Sequence, residues 1–383
     1  MWAGHPWVYA QAIGRVEGGA TPGAEVDVVD PQGKFLGRGL YSPGSAIPVR
    51  LYARQPGVAL DASLLASRLK AAQARRAAVG LPASGTNGYR LVHAEGDDLP
   101  GLVVDRFDDV LVVQLGTVGM KQREGLIFET LTHATNARAI VDRTSLATAK
   151  VERFEVARGV VRGDPSLTEL VFEERRFVYR IPLELGQKTG FYFDQRPLRT
   201  RVEHLAAGRR VLDAFCYTGS MALAAARGGA SEVLAVDNSA LAVEVGAALA
   251  ADNRLDGKVA FARGDARQEL TRIGRKGGFD LVVCDPPKLA PSRAARKKAL
   301  AHMRQLAQAS VQATTPGGLL ALSSCSAAVT VTDLGRALAL GARDVGLQAV
   351  VLDRVFQGAD HPVPAAFPEG LYLSTLIAQI TKR

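Results

Sequence analysis

Apolar and polar positions follow one another along this chain in three rhythms. From Glu25 to Val29 and from Phe35 to Tyr41 the runs are short and β-rich. Between them, Asp30-Pro31-Gln32-Gly33 is hairpin chemistry, because glycine supplies the positive φ of a tight turn. These runs predict a small β-barrel-like module that ends near Arg54. From Asp61 to Val79 the period lengthens. Leu64, Leu65, Leu69 and Ala72 recur at helical spacing, with Arg68, Lys70, Arg75 and Arg76 on a basic face. Strands at Leu102–Asp105, Val110–Leu115 and Ala139–Asp142, a helix over Lys121–His133, and strands at Leu170–Phe172 and Arg176–Pro182 make the next stretch an α+β domain.

From about Arg201 strand and helix alternate regularly. Strands are predicted at Arg210–Ala214, Glu232–Val236, Val259–Arg263, Asp280–Cys284 and Leu319–Ser323. Continuous apolar runs such as Leu281-Val282-Val283 belong in a parallel sheet buried on both faces. The last two strands, Gln348–Arg354 and Leu371–Ile380, are joined by a Pro-rich loop and suit a terminal antiparallel pair. The expected fold class is α/β: a doubly wound, Rossmann-like sheet of seven strands at the C-terminus, preceded by the small β module and the α+β middle domain. The divisions fall at 1–55, 56–182 and 183–383. Sheets of this kind bind ligands beyond the carboxyl ends of their strands.

The first of those strands runs into Asp213-Ala214-Phe215-Cys216-Tyr217-Thr218-Gly219 and a helix, where Gly219 lets a ligand approach the backbone. The three-glycine fingerprint that cradles a pyrophosphate is missing, which weakens NAD and FAD. Val236-Asp237-Asn238 ends the second strand, and a carboxylate there can accept both ribose hydroxyls of a nucleoside. Gly264-Asp265-Ala266 follows the third, placed to read an adenine amino group while the Ala packs on the ring. Each acid alone has a plain reading as a helix cap. Together they favour S-adenosylmethionine, with Asp213, Phe215, Tyr217, Thr218, Gly219, Asp237, Asn238, Asp265, Ala266 and Asp285 as candidate contacts.

The fourth strand ends in Cys284-Asp285-Pro286-Pro287-Lys288 and the fifth in Ser323-Ser324-Cys325-Ser326. Methyltransferases that act on exocyclic amines carry an aromatic after the two prolines; Lys288 stands there instead. That points to ring-carbon chemistry. Carbon 5 of cytosine accepts a methyl group only after a thiolate adds to carbon 6, with an acid near ring nitrogen 3. Cys325 and Asp285 supply those two parts. The rival reading of Cys325 is a small buried residue, and Cys284 within its apolar strand reads as core. Cys216 reads as a packing residue beside the cofactor.

Charge and cysteine usage narrow the partners. Forty-seven Lys and Arg against 38 Asp and Glu give +9, which suits a polyanion such as RNA. Three widely spaced cysteines offer neither a disulfide framework nor a zinc pattern, so no metal is expected. No run approaches the length of a membrane span, and the start lacks a signal-peptide layout, so a cytoplasmic location is the expectation. Oligomeric state is open, a homodimer included.

These residues make the chain resemble the RlmI-type family of 23S ribosomal RNA cytosine-5 methyltransferases over essentially its full length. His5-Pro6-Trp7-Val8 and Gly37-Arg38-Gly39-Leu40-Tyr41-Ser42-Pro43 are similar to that family's PUA module, an RNA-binding barrel. Gly186-Gln187-Lys188-Thr189-Gly190-Phe191-Tyr192-Phe193-Asp194-Gln195-Arg196 resembles its most distinctive signature. Asp285-Pro-Pro-Lys288 and Ser324-Cys325-Ser326 resemble its reaction motifs. Ala359-Asp360-His361-Pro362 and Pro368-Glu369-Gly370-Leu371-Tyr372-Leu373 also fit. The resemblance implies Cys325 as nucleophile, with Asp237, Asp265 and Asp285 lining the cofactor and base pocket. Gln187, Phe191 and Asp194 join the cofactor candidates; Lys188, Gln195, Arg196, Pro286, Lys288, Arg293 and His361 are the candidate RNA contacts. Two readings stay open for the signature, phosphate contact beside base stacking or a structural hinge. Arg293 with Arg296, Lys297 and Lys298 is either a solvated helix face or an RNA contact, and His361 either a loop residue or part of the pocket.

Overall fold

The structure is a computed structural model that describes residues 4–185, 188–289 and 296–383; Gln187 and Arg293 lie outside the described residues. The chain divides into two compact units, one of Met1–Phe193 with Ala359–Gly370, the other of Asp194–Gly358 with Leu371–Arg383.

In the first unit β1 (Trp7–Val8), β2 (Glu25–Val29), β3 (Phe35–Tyr41) and β4 (Val49–Ala53) form an antiparallel sheet in the order β1-β4-β3-β2. Helix α1 (Ala62–Ala78) starts where Asp61 accepts the Leu64 N–H, and it buries Leu65, Leu69 and Ala72. A five-stranded sheet follows, from β5 (Gly88–His93), β6 (Leu102–Phe107), β7 (Val110–Leu115), β8 (Ala139–Asp142) and β9 (Gly159–Arg162). The single helix expected over 121–133 is two, α2 (Val118–Lys121), capped by Thr117, and α3 (Glu124–Thr135). Helix α4 (Leu146–Glu152) and the hairpin of β10 (Glu169–Glu174) and β11 (Phe177–Pro182) complete the run.

The second unit opens with α5 (Arg196–Leu205) and continues as β12 (Arg210–Ala214), α6 (Ser220–Arg227), β13 (Glu232–Asp237), α7 (Ala240–Asp252), β14 (Val259–Arg263), α8 (Ala266–Gly274), β15 (Phe279–Cys284), α9 (Arg296–Ala313), β16 (Thr314–Ser324), α10 (Val331–Arg343), β17 (Leu347–Phe356) and β18 (Ser374–Lys382). The strand order is β14-β13-β12-β15-β16-β18-β17. β12 to β16 run parallel, and β18 lies antiparallel between β16 and β17. Parallel strands need both faces covered, and Leu212, Val282, Leu320 and Leu322 are buried with Met303, Leu306 and Leu334 of the covering helices. Helix α6 buries Met221 to Ala226 without interruption, four of the six being alanine, so it packs close to the sheet. The order reverses between β12 and β15, and such a switch point opens a crevice at the strands' carboxyl ends.

Candidate active site

Past β12 the chain turns through Phe215 and Tyr217, both left-handed at φ 65° and 52°, to Gly219 at φ 74° immediately before α6. A left-handed non-glycine residue costs about 1–2 kcal/mol, so neighbouring groups must hold the turn. Cys216 donates its N–H to the Val236 carbonyl at 3.0 Å, Tyr217 its N–H to Asp237 Oδ2 at 2.9 Å, and Gly219 its N–H to the Cys216 carbonyl at 2.8 Å. The second strand's end thereby shapes the first strand's loop. A Cβ on Gly219 would lie 2.5 Å from the Phe261 ring of β14. Glycine is required here by packing within the protein, whereas the sequence suggested room for a ligand.

Four carboxyls stand at successive strand ends. Asp213 is buried and accepts the Ala222 N–H at 3.0 Å. Burial raises its pKa to about 8 against that hydrogen bond, and the charges of Asp285 and Asp237 push the same way. Asp237 accepts Tyr217 N–H on Oδ2 and Ser239 N–H on Oδ1 (3.0 Å), which leaves each oxygen a second lone pair. Asp265 accepts the Gln268 N–H on Oδ1 and caps α8, and the residue is exposed. Asp213, Asp237 and Asp265 make no ion pair among the described residues. Between these acids, Thr218 is buried with no hydrogen-bond partner for its Oγ1. Ala266 is buried in the core behind them, Phe215 packs on the same core, and Asn238 is exposed, its carbonyl accepting from Arg263.

On the other side of the switch point, the loops after β15 and β16 meet. Cys325 Sγ lies 3.9 Å from the Pro286 carbonyl, to which the thiol donates. Asp285, one residue earlier, accepts on Oδ2 from the Gln195 side-chain amide at 2.7 Å. Cys325 and Asp285 are both half-buried, whereas Cys216 and Cys284 are buried. Burial pushes the Cys216 thiol up, and that of Cys284 to about 12. Of the three, Cys325 is the one left partly exposed.

Lys288 is exposed and Pro286 buried. Arg196 is half-buried at the start of α5. Gln195, expected on RNA, is buried with its amide on Asp285. Asp194 is buried and accepts the Tyr372 hydroxyl at 2.7 Å. In the first unit Lys188 stands over the Tyr192 ring at 4.3 Å. Phe191 does not offer a stacking face as expected: it packs against Tyr179, Phe172 and Phe193 in an aromatic core. His361 is corrected likewise, its side chain fully buried beside Asp360 (3.0 Å) and against His93, which removes it from a solvent-borne substrate. Gln195 carried no sequence signal for its role, because its partner is 90 residues away.

Residues 89–339 match the family model of S-adenosylmethionine-dependent methyltransferases, and residues 1–54 match that of a PUA-like domain. The chain belongs to that methyltransferase family. It is 36% identical over 378 residues to ribosomal RNA large subunit methyltransferase I of Serratia proteamaculans, covering 98% of this chain and 95% of the relative, and 35% identical to the protein of that name from Yersinia pseudotuberculosis over the same shares. The crystal structure of SMU.776 complexed with SAH superposes with a TM-score of 0.86 at 19% identity, over 98% of this chain and 95% of that one. A Streptococcus mutans methyltransferase structure gives 0.83 at 20%, over 97% and 95%.

The cofactor is S-adenosylmethionine, and the residues present fit it. The carboxyls of Asp237, Asp265 and Asp285 at three strand ends, without a run of glycine N–H groups, suit a sulfonium cation with a ribose diol and repel a diphosphate. Among the described residues, no helix is long and apolar enough to cross a membrane.

Proposed function

We propose that this enzyme forms 5-methylcytosine in large-subunit ribosomal RNA, with Cys325 as nucleophile and Asp285 as the acid that serves the ring. The names of its 35–36% identical relatives support the RNA class. One observation carries the chemistry: the only half-exposed thiol of the chain meets the Asp285-Pro286 turn at 3.9 Å.

Asp237 would hold the ribose hydroxyls and Asp265 the adenine amino group, through the lone pairs their backbone contacts leave over. When bound, S-adenosylmethionine supplies an electrophilic methyl group. Cys325 Sγ, as thiolate, adds to carbon 6 of the cytosine, and the ring electrons move toward nitrogen 3. Asp285 donates a hydrogen bond or proton there, so negative charge does not build up unaided. Carbon 5 is then enamine-like and accepts the methyl group. A base takes the carbon-5 proton, and the electron pair left behind re-forms the carbon 5–carbon 6 double bond and expels the thiolate. Nitrogen 3 returns its proton to Asp285, which restores the ring. Lys288, exposed after the two prolines, leaves no aromatic plate for an amine substrate.

The test pairs Cys325→Ala with RNA containing 5-fluorocytosine, which blocks the last step. Wild type should form an adduct stable to denaturing gels, and Cys325→Ala should lose both adduct and methyl transfer. Full activity of Cys325→Ala would reject the thiol mechanism and favour methylation of a base nitrogen.

A further inference from the structure

We infer that Gln195 is a positioning residue, which holds the carboxyl of Asp285 in the orientation from which it serves the base. This inference rests on the role proposed for Asp285. Gln195 sits at the end of the 3-10 turn Phe193–Gln195, where α5 begins, and it is 4% exposed. Neighbouring groups hold the residue before it, Asp194. The Gly358 N–H donates to the Asp194 carbonyl at 3.0 Å, and the Tyr372 hydroxyl donates to Asp194 Oδ2 at 2.7 Å. The Gln195 side chain therefore reaches Asp285 from a braced backbone.

A carboxylate is an acceptor on both oxygens, so the atom of Gln195 that meets Oδ2 is the amide N–H₂, a donor only. This hydrogen bond fixes the carboxyl plane before substrate arrives, which is the preorganisation that hydrogen-bond catalysis needs. Asp213 on β12 and Cys284 on β15 feel the Asp285 charge, but both are buried beneath it and neither hydrogen-bonds to it among the described contacts. The amide of Gln195 is a neutral group that meets the carboxyl directly.

The full-length protein is tested on transcribed large-subunit ribosomal RNA as wild type, Gln195→Ala, Gln195→Glu, Asp285→Ala and the Asp285→Ala/Gln195→Ala double variant. Gln195→Glu has the shape of the native residue and controls for folding. Both Gln195 variants should lose about 10- to 100-fold in single-turnover rate, the scale of a misplaced reacting group. Their affinity for S-adenosylmethionine by calorimetry should stay within about 3-fold, because Gln195 touches the acid and not the cofactor. The carboxyl-dependent limb of the rate profile should move up by about one pH unit in Gln195→Ala, the value of one hydrogen bond to the ionised form. It should move further in Gln195→Glu, where two carboxyls share a proton. In the Asp285→Ala background, Gln195→Ala should cost nothing more. Equal costs in both backgrounds, or an unmoved limb in Gln195→Glu, would overturn the inference. Wild-type rate in Asp285→Ala would instead sink the role of Asp285 itself.

Discussion

Replacing Asp213 by Asn should flatten the dependence of stability on pH. The carboxyl is buried at the end of β12 and accepts one backbone N–H, from Ala222. Burial first, then the charges of Asp285 and Asp237, raise its pKa from 3.8 to about 8. In the unfolded chain it ionises near 4. A raised carboxyl contributes stability that is complete below the unfolded value and is lost as pH climbs through the folded one. Between pH 5 and 7 the unfolded group is ionised and the folded group protonated, so wild type loses about 1.4 kcal/mol per pH unit from this residue. Over that window the loss is about 3 kcal/mol. Asn cannot ionise. It accepts the same N–H but must bury an amide N–H₂, which adds a roughly constant cost of about 1–3 kcal/mol. The variant should therefore be the weaker protein at pH 5 and gain on wild type steadily to pH 7. Thermal unfolding at pH 5, 6 and 7 measures this. With about 2–4 °C per kcal/mol for a unit of this size, the difference in Tm should change by about 6–12 °C across the window. Parallel curves for the two proteins would refute the raised carboxyl.

Two further outcomes follow from packing and exposure. Gly219→Ala should cost roughly 2–5 kcal/mol, from the left-handed φ and from a Cβ 2.5 Å from Phe261; Phe261→Leu in the same chain should recover at least about 1 kcal/mol of it, and additive denaturation midpoints would disprove the clash. Iodoacetamide at pH 8 should alkylate Cys325 in the folded protein at least about tenfold faster than Cys216 or Cys284, since only the thiolate reacts and burial keeps those two as thiols; peptide mass spectrometry reads the order, and comparable labelling of all three would contradict it.

The parallel sheet is readable in the sequence because β12 and β15 are apolar through their middles, and Ala139–Asp142 and Arg210–Ala214 come out to the residue. β5 was not legible. Arg90 stands in its centre, and only the structure shows it neutralised by Asp105 of β6 and braced by the Asp360 carboxylate on its N–H. α5 was hidden by its polar face and by Pro197, which is tolerated at the first helical turn. The acids at the strand ends were legible as positions, because topology dictates where strand ends gather. Their partners were not. Whether Gln195 meets RNA or Asp285, and whether Phe191 stacks or packs, depend on residues distant in the sequence. Phe191 shows the cost of reading aromatics beside basic residues as a binding surface: its neighbours Phe172 and Tyr179 come from a hairpin that sequence proximity does not connect to it.

Burial sorts this unit's reactive groups into two sets. Cys216, Cys284 and Asp213 lie under the strand ends, and removal from water keeps all three protonated near neutral pH. Of the thiols, the half-buried Cys325 is left; of the acids, Asp237, Asp265 and Asp285. The survivors are not scattered. Asp237 and Asp265 belong to β13 and β14, on one side of the switch point, where backbone donors already orient them. Asp285 and Cys325 belong to β15 and β16, on the other side, where one is held by Gln195 and the other meets Pro286. A sheet that reverses its order between β12 and β15 thereby separates groups suited to a nucleoside from groups suited to a ring carbon, with the turn at Phe215–Gly219 between them. That separation is what a transfer reaction needs, because donor and acceptor must approach from opposite sides of the atom that moves.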